Sequence, residues 1–339
     1  MKLVGHPRPA ELEDYRRAAE EIEARLGSLP GLRAIYRIGG VSAPGISDLD
    51  RVAVVDPAGP VPPVWHDLTE GTRALAMHPP FLVDPATFAS HRLISHLEPM
   101  ELAAGTAIEI EERPDPDYIG RLLGAESLLL TLVRLLKYRV TGRVKVRAVL
   151  CQLHTVRHGL ALAGLGRGDA PRAWALSDEV ASLRGEWFAQ APQEREERLR
   201  HLVLRAFPAL VGALDSLAVG LPRSEEGSDT RLALGAPWGG VVLKAVGKGP
   251  TPPPGPGPRL TQAVSAVSSR TAEAAWRLLL RRREVVVPAQ VLALLGECPE
   301  EHAVLCARHA EVLARHREFM AERGRGYTSI AIAPALRRA

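Results

Sequence analysis

The hydrophobic period of this chain changes near residue 118, and that change constrains the fold more than any single motif. Before it, short β-rich runs alternate with turn residues and one amphipathic segment. After it, apolar residues recur three and four apart over long stretches. Residues 9–28 open with Pro9 and place Leu12, Tyr15, Ala19, Ile22 and Leu26 at helical spacing, which predicts a surface helix. LRAIYRIGG, LDRVAVVD, PPFLVD and AIEIEE read as short strands, with HDLTEGTRALAM and ATFASHRLISHLEPM as helix or loop between and around them. From Tyr118 to about Leu221, stretches such as LLGAESLLLTLVRLLKY and VRAVLCQLHTVRHGLALAG predict a bundle of four or five helices. PRSEEGSDT then interrupts the pattern, RLALGAPWGGVVLKAV has the form of a hairpin, and TPPPGPGPR that of an extended linker. Residues 261–325 return to helical spacing.

The expected class is α+β, with four segments: a small mixed-sheet domain over 1–117, a helical domain over 118–222, a hairpin and Pro/Gly-rich linker over 223–260, and a helical region over 261–339. With 339 residues, 46% of them apolar and 24% charged, the composition is that of a globular protein able to bury a sizeable core. No apolar run approaches the roughly 20 residues that span a bilayer, and MKLVGHPRPAELEDYRR has no apolar signal core. Cys151, Cys298 and Cys306 are too few for a disulfide framework. A cytoplasmic protein with no membrane partner is the expectation. Net charge is +4, yet residues 126–147 alone hold an excess of five, from Arg134, Lys137, Arg139, Arg143, Lys145 and Arg147 against Glu126. The basic excess is therefore local.

The stretch with chemical content is Ile38–Asp56, IGGVSAPGISDLDRVAVVD. Asp48 and Asp50 stand two apart at the start of a strand, so alternation turns both carboxylates to one face, continued inward by Val52 and Val54. Two such acids repel each other, and a divalent cation between them relieves the repulsion. Carboxylates with open water positions suit Mg²⁺ held jointly with substrate phosphates, with Mn²⁺ as its stand-in. Gly39 and Gly40 let a phosphate approach the backbone N–H groups, and Ser42 and Ser47 add hydroxyls beside them. The plain alternative is a polar turn entering a strand, since Gly, Ser, Pro and Asp are ordinary turn residues.

Gly39-Gly40, a short loop, Ser47-Asp48-Leu49-Asp50 and the β-rich run that follows resemble the signature of the nucleotidyltransferase superfamily, typified by DNA polymerase beta and the aminoglycoside nucleotidyltransferases. The resemblance implies a small mixed sheet with helices, followed by a helical domain. It further implies that Gly39 and Gly40 bind a triphosphate, that Asp48 and Asp50 bind Mg²⁺, and that a third carboxylate on a later strand completes the metal site. Asp84, ending PFLVD, and Glu101, in PMELAAG, are the candidates for that third position, beside the reading that there is none. Seven residues separate Gly40 from Asp48, so the helical turn that follows the glycines in the family is expected to shrink to a loop. Arg51 stands where the family has an apolar residue.

The implied activity is transfer of a nucleoside monophosphate from a nucleoside triphosphate to a hydroxyl or phosphate acceptor, with release of pyrophosphate. The alternatives are a non-catalytic nucleotide-binding or protein-interaction member and a plain helical scaffold. The basic run is either a solvated face or, through Lys137 or Arg139, a triphosphate clamp. A nucleic-acid partner stays open but is not favoured, because aromatics make up only 4% of the chain and no stacking platform accompanies the run. Cys151, His154 and His158, and again Cys298, His302, Cys306 and His309, recur at helical spacing. Semi-buried cysteines and surface histidines explain them more simply than one zinc site pooling both helices. Gly164, Gly166 and Gly168 follow a helix and read as its cap and turn.

Overall fold

Pro9 and the acidic residues behind it start helix α1 (Leu12–Gly27), where the Asp14 carboxylate accepts a hydrogen bond from the Glu11 N–H at 2.8 Å. The computed structural model describes residues 1–97, 100–219 and 300–331, together with the short strands at 231–234, 241–244, 261–264 and 336–338; at positions 133, 136, 137, 139 and 140 it describes the backbone alone. The buried stripe of α1 is Tyr15, Ala18, Ile22 and Leu26. Leu12 stays exposed and Ala18 is buried where Ala19 is half-buried, while Tyr15, Ile22 and Leu26 keep the places read in the sequence.

The protein is α+β, built as two units. The first comprises Pro7–Pro114 and Val304–Ile332. Its sheet contains β2 (Leu32–Ile38), β3 (Asp50–Val55), β4 (Phe81–Val83), β5 (Met100–Gly105) and β10 (Thr328–Ser329), in the order β10-β4-β3-β2-β5. The pairs β2–β3 and β2–β5 are antiparallel, whereas β3–β4 and β4–β10 are parallel. Alternation sends Ile35, Ala53, Val55 and Leu82 into a core shared with Tyr15, Ile22 and Leu26 of α1. Phe319, from the helix α9 (Ala303–Arg323), joins the same core. Tyr36 points to the other face and meets Phe88 of α3 (Pro85–Ala89), with ring centroids 4.5 Å apart. Helix α2 (Glu70–Ala76) is docked onto α1 by Glu21, whose carboxylate accepts from the Thr69 N–H at 2.6 Å and the Thr72 hydroxyl at 2.5 Å.

Two elements differ from the sequence reading. AIEIEE is not a strand; the neighbour of β2 is MELAAG instead, and Glu111 donates its N–H to the Ala89 carbonyl outside any ladder. The alternation of Ile108 and Ile110 with Glu109 and Glu111 resembles an edge strand in period only. Residues 304–332 join this unit, through α9 and β10, so the helical region of 261–339 does not stand by itself.

The second unit comprises Met1–His6, Asp115–Ala303 and Ala333–Ala339. It holds α4 (Pro116–Thr141), α5 (Val146–His154), α6 (Val156–Leu162), α7 (Pro171–Glu186) and α8 (Pro192–Val219), the bundle that the spacing predicts. The strand β1 (Lys2–Val4) pairs in parallel with β6 (Arg143–Lys145). The strands β7 (Arg231–Leu234) and β8 (Val241–Lys244) form an antiparallel pair, as the hairpin reading expects, within a four-stranded sheet that also takes β9 (Thr261–Val264) and β11 (Leu336–Arg338). The linker 245–260 lies outside the described residues. Helix α8 has a window apolar enough to cross a membrane by length and composition, and 56% of that window is buried; it packs against α4 and α7. Cys151 is half-buried on α5, and Cys306 is disulfide-bonded, which the small number of cysteines does not suggest. Gly164, with φ +70°, ends the segment after α6 as a cap, in line with the sequence reading.

The α4–α6 contact depends on the missing side chain of Gly124. A Cβ there would lie 2.5 Å from the Ala163 nitrogen and 2.7 Å from the Gly159 carbonyl oxygen, both backbone atoms with little freedom to yield. Helix propensity favours Ala by about 1 kcal/mol, but forcing the helices apart costs roughly 1–3 kcal/mol, so Gly124→Ala is expected to destabilise. Gly185→Ala in α7, where nothing lies within 4 Å, is expected to be neutral or stabilising, and urea unfolding of the two variants checks the contrast.

Glu126, on α4, is buried, and burial pushes its carboxyl up to about 8 from an ordinary 4.5. The folded state therefore holds a proton that the unfolded chain releases, so stability is complete below about pH 4.5 and declines as pH rises toward 8. Glu126→Gln is expected to flatten that decline, with a gain above pH 8 of at most on the order of 5 kcal/mol, read by chemical unfolding at pH 5 and pH 8.5.

Candidate metal centre

The candidate site lies where the end of β2 meets the starts of β3 and β4. Its position follows from the phase of β3, which Arg51 sets. Arg51 is 5% exposed, and its Nε lies 2.8 Å from Glu23 Oε1 on α1. The same carboxylate takes both Nε and Nη2 of Arg37, at 2.9 and 3.0 Å. Burial works to raise the Glu23 carboxyl, but the two guanidiniums outweigh it and hold it below its ordinary value. Arg37 pairs with Arg51 across the ladder, and Ile38 pairs with Asp50. With Arg51 turned toward α1, alternation turns Asp50 to the opposite face. Arg51 thus fixes which face of β3 carries Asp50.

The loop between the strands is folded on itself and pinned to α1. The Ser47 N–H donates to the Ala43 carbonyl at 2.8 Å, and Ser47 Oγ accepts from the Ala43 N–H at 3.0 Å. The Tyr15 hydroxyl donates to the Ser47 carbonyl at 2.7 Å and accepts from the Gly45 N–H at 3.1 Å. No helix follows the glycines, as the short spacing implies. Ser47 is buried and serves the turn, whereas Ser42 is exposed. Gly39 adopts φ +62°, a left-handed conformation that side chains disfavour, and nothing lies within 4 Å of where a Cβ would stand on Gly39 or Gly40. Asp48 Oδ1 accepts from the Leu49 N–H at 2.8 Å.

The third residue of the site is His78, which the sequence reading passed over. It follows α2, after Met77 with φ +55°, and precedes Pro79 and Pro80. Val52 of β3 pairs in parallel with Phe81 of β4, so the residues just before β4 come level with Asp50. His78 Nε2 lies 2.9 Å from Asp50 Oδ1 and 3.5 Å from Asp48 Oδ2. The other ring nitrogen, Nδ1, is 2.7 Å from the Pro79 carbonyl oxygen. A carbonyl can only accept, so Nδ1 carries the proton and Nε2 is the atom left facing the carboxylates. The ring also stands edge-on to Phe81, with centroids 5.1 Å apart. One ligand atom from each of Asp48, Asp50 and His78 lies within 4.8 Å of the others, and among the described residues this is the grouping that could hold a metal ion. The signal available in the sequence was the order of elements: a strand carrying Asp50, a helix, then a second strand preceded by His-Pro-Pro.

The structure does not bring Asp84 or Glu101 to the pair. Asp84 caps α3, with Oδ1 accepting from the Thr87 N–H at 2.9 Å. Because β3 and β4 are parallel, Asp84 lies at the far ends of the strands, roughly 15 Å along the sheet from the level of Asp50. There its charge acts on the buried His316 of α9. Glu101 pairs with Arg37, whereas Met100 pairs with Ile38 in the row of Asp50. Glu101 therefore shares the face of Arg37 and Arg51, opposite to Asp50. Lys137 and Arg139 lie on α4 of the helical unit, and their side chains are outside the described residues. Burial depresses the Arg134 guanidinium, whereas Arg143 and Lys145 are exposed, so the basic run is not one uniform face. His154 is depressed to about 3 by burial and by Arg184 and Arg157, and an Arg157 nitrogen lies 2.7 Å from its ring. His302 stacks on Tyr118 with centroids 4.0 Å apart, and Cys298 lies outside the described residues.

In the metal-free protein the imidazole supplies the charge that two neighbouring carboxylates require. Burial opposes a charged ring, but the contact with Asp50 and the charges of Asp48 and Asp50 prevail and push His78 up to about 9. Stability drawn from this pairing is fully present below the ordinary value of 6.5 and is lost as pH rises through about 9. The ring is expected to titrate near pH 9 in ¹H–¹⁵N NMR spectra of chelator-treated protein, and Asp50→Asn is expected to lower that midpoint.

No protein-family model matches this chain, and no match to it was found among curated proteins or solved structures.

Proposed function

We propose that the protein is a metal-dependent nucleotidyltransferase, moving a nucleoside monophosphate from a nucleoside triphosphate to a hydroxyl or phosphate acceptor. The observation that carries this reading is the convergence of Asp48, Asp50 and His78 beside the open backbone of Gly39 and Gly40. The residues fit a divalent ion: Asp50 Oδ1 is buried and faces His78 Nε2 at 2.9 Å, and a cation would take the place of the ring's proton between them. Bound there, Mg²⁺ or Mn²⁺ would supply Lewis-acid polarisation of the phosphoryl oxygens.

The chain's own residues account for the rest. Asp48 and Asp50 would hold the triphosphate's cation at the end of β2, and the backbone N–H groups after Ile38 would orient the phosphates. The acceptor oxygen bonds to the α-phosphorus while the bond to the bridging oxygen breaks, and pyrophosphate leaves. The acceptor's proton passes to Asp50 Oδ2. A second reading, a nucleotide-binding module without turnover, is favoured by the absence of Asp84 and Glu101 from the pair.

Incubation with each nucleoside triphosphate, Mg²⁺ or Mn²⁺ and a panel of sugar, aminoglycoside, protein and RNA acceptors is expected to release pyrophosphate. Asp48→Asn is expected to cut the rate by at least about 100-fold without changing the melting temperature greatly. Near-wild-type turnover by Asp48→Asn would sink the assignment, and cation-dependent nucleotide binding without pyrophosphate release would select the binding module.

A further inference from the structure

We infer that His78 is a metal ligand and that it makes this centre select a first-row transition ion of the Mn²⁺ type over Mg²⁺. The inference concerns the same site as the proposed transfer reaction and takes from that reading that a cation sits between Asp48 and Asp50.

Three observations support it. The first is spacing. Ligands about 2.1 Å from an octahedral or tetrahedral ion lie roughly 3.0–3.4 Å from each other along the polyhedron edges. The separations from His78 Nε2 to Asp50 Oδ1 and Asp48 Oδ2 are 2.9 and 3.5 Å, and all three ligand atoms lie within 4.8 Å of one another, a spread that one small ion can draw together. The second is the outer partner. Histidines that bind metals commonly donate their other ring N–H to a carbonyl or carboxylate, which fixes the tautomer and the ring plane. His78 has such a partner in Pro79, whose carbonyl also accepts from the Thr328 hydroxyl at 2.8 Å. The third is rigidity. Pro79 and Pro80 fix the backbone behind the ring, and Phe81 stands edge-on to it.

Metal choice follows from the donor set. Two carboxylate oxygens alone suit Mg²⁺, which binds hard oxygen ligands and water. An imidazole nitrogen in the first shell adds little for Mg²⁺ but is a good donor to Mn²⁺ and the later ions of the series. Asp84 and Glu101, the two carboxylates that would have made the site all-oxygen, lie elsewhere in the fold.

The test is direct binding of Mn²⁺ and of Mg²⁺ alone to the full chain by titration calorimetry, with three-pulse electron spin-echo spectroscopy of the Mn²⁺-loaded protein. Mn²⁺ is expected to bind at least about tenfold tighter than Mg²⁺, with ¹⁴N modulation from the ring in the spin-echo signal. His78→Gln is expected to remove the modulation and weaken Mn²⁺ by about 10- to 100-fold while changing Mg²⁺ little. The wild-type spectrum needs no variant, so a misfolded His78→Gln leaves the test intact. Absence of ¹⁴N modulation, or equal affinity for the two ions, overturns the inference and leaves the transfer reaction standing if pyrophosphate is still released. Nitrogen-coordinated Mn²⁺ without pyrophosphate release from any triphosphate supports the inference and removes the transfer reaction.

Discussion

The ion pair between Arg51 and Glu23 is the constraint on which the sheet unit depends. A guanidinium buried within a strand is tolerable only where a carboxylate meets it, and Glu23 of α1 is that carboxylate. The pairing fixes two things at once: which side of β3 faces α1, and how far α1 slides along the sheet. Arg37 repeats the contact one strand over and ties β2 to the same point. The functional face of the strand is then settled by exclusion, since a residue neighbouring Arg51 can only look the other way.

The legible part of the fold is what periodicity encodes. Helix α1, the strands β2, β3 and β4 and the bundle of α4 to α8 all follow from spacing, because each buries one face and the apolar residues mark it. β5 was not legible. In MELAAG no alternation separates an inner from an outer face, because the strand lies at the sheet edge with none of its residues buried. AIEIEE alternates well and is not a strand; its Ile108 and Glu111 N–H groups go to the Tyr36 hydroxyl and the Ala89 carbonyl and not to a ladder. Pattern reports which side of a segment is apolar; it does not report whether a partner strand is within reach.

The candidate centre divides in the same way. Asp48 and Asp50 are two residues apart, and their common face is a local property that the sequence carries openly. His78 comes 28 positions after Asp50 and reaches it only through the parallel register of β3 with β4, a tertiary fact. The register also explains why Asp84 was attractive and misplaced: it stands at a strand end beside glycine-free, apolar Phe81–Val83, but at the end opposite to the pair.

The two connections that bring the centre together differ in what they demand. Residues 39–49 close an antiparallel pair across Ile38 and Asp50 and are stitched by Ser47 and Tyr15, so any change of length there displaces Asp48 from Asp50 directly. Residues 56–77 reach His78 through α2, which is held separately by Glu21, and only their last step, Met77 into His78-Pro79, meets the centre. A change of length in the second connection therefore reaches His78 only through α2, although Val61, Val64 and Leu68 tie its middle to the core. In descent from a common ancestor, the loop at 39–49 would keep its length, and the span between the paired aspartates and the histidine would vary only where it leaves that core.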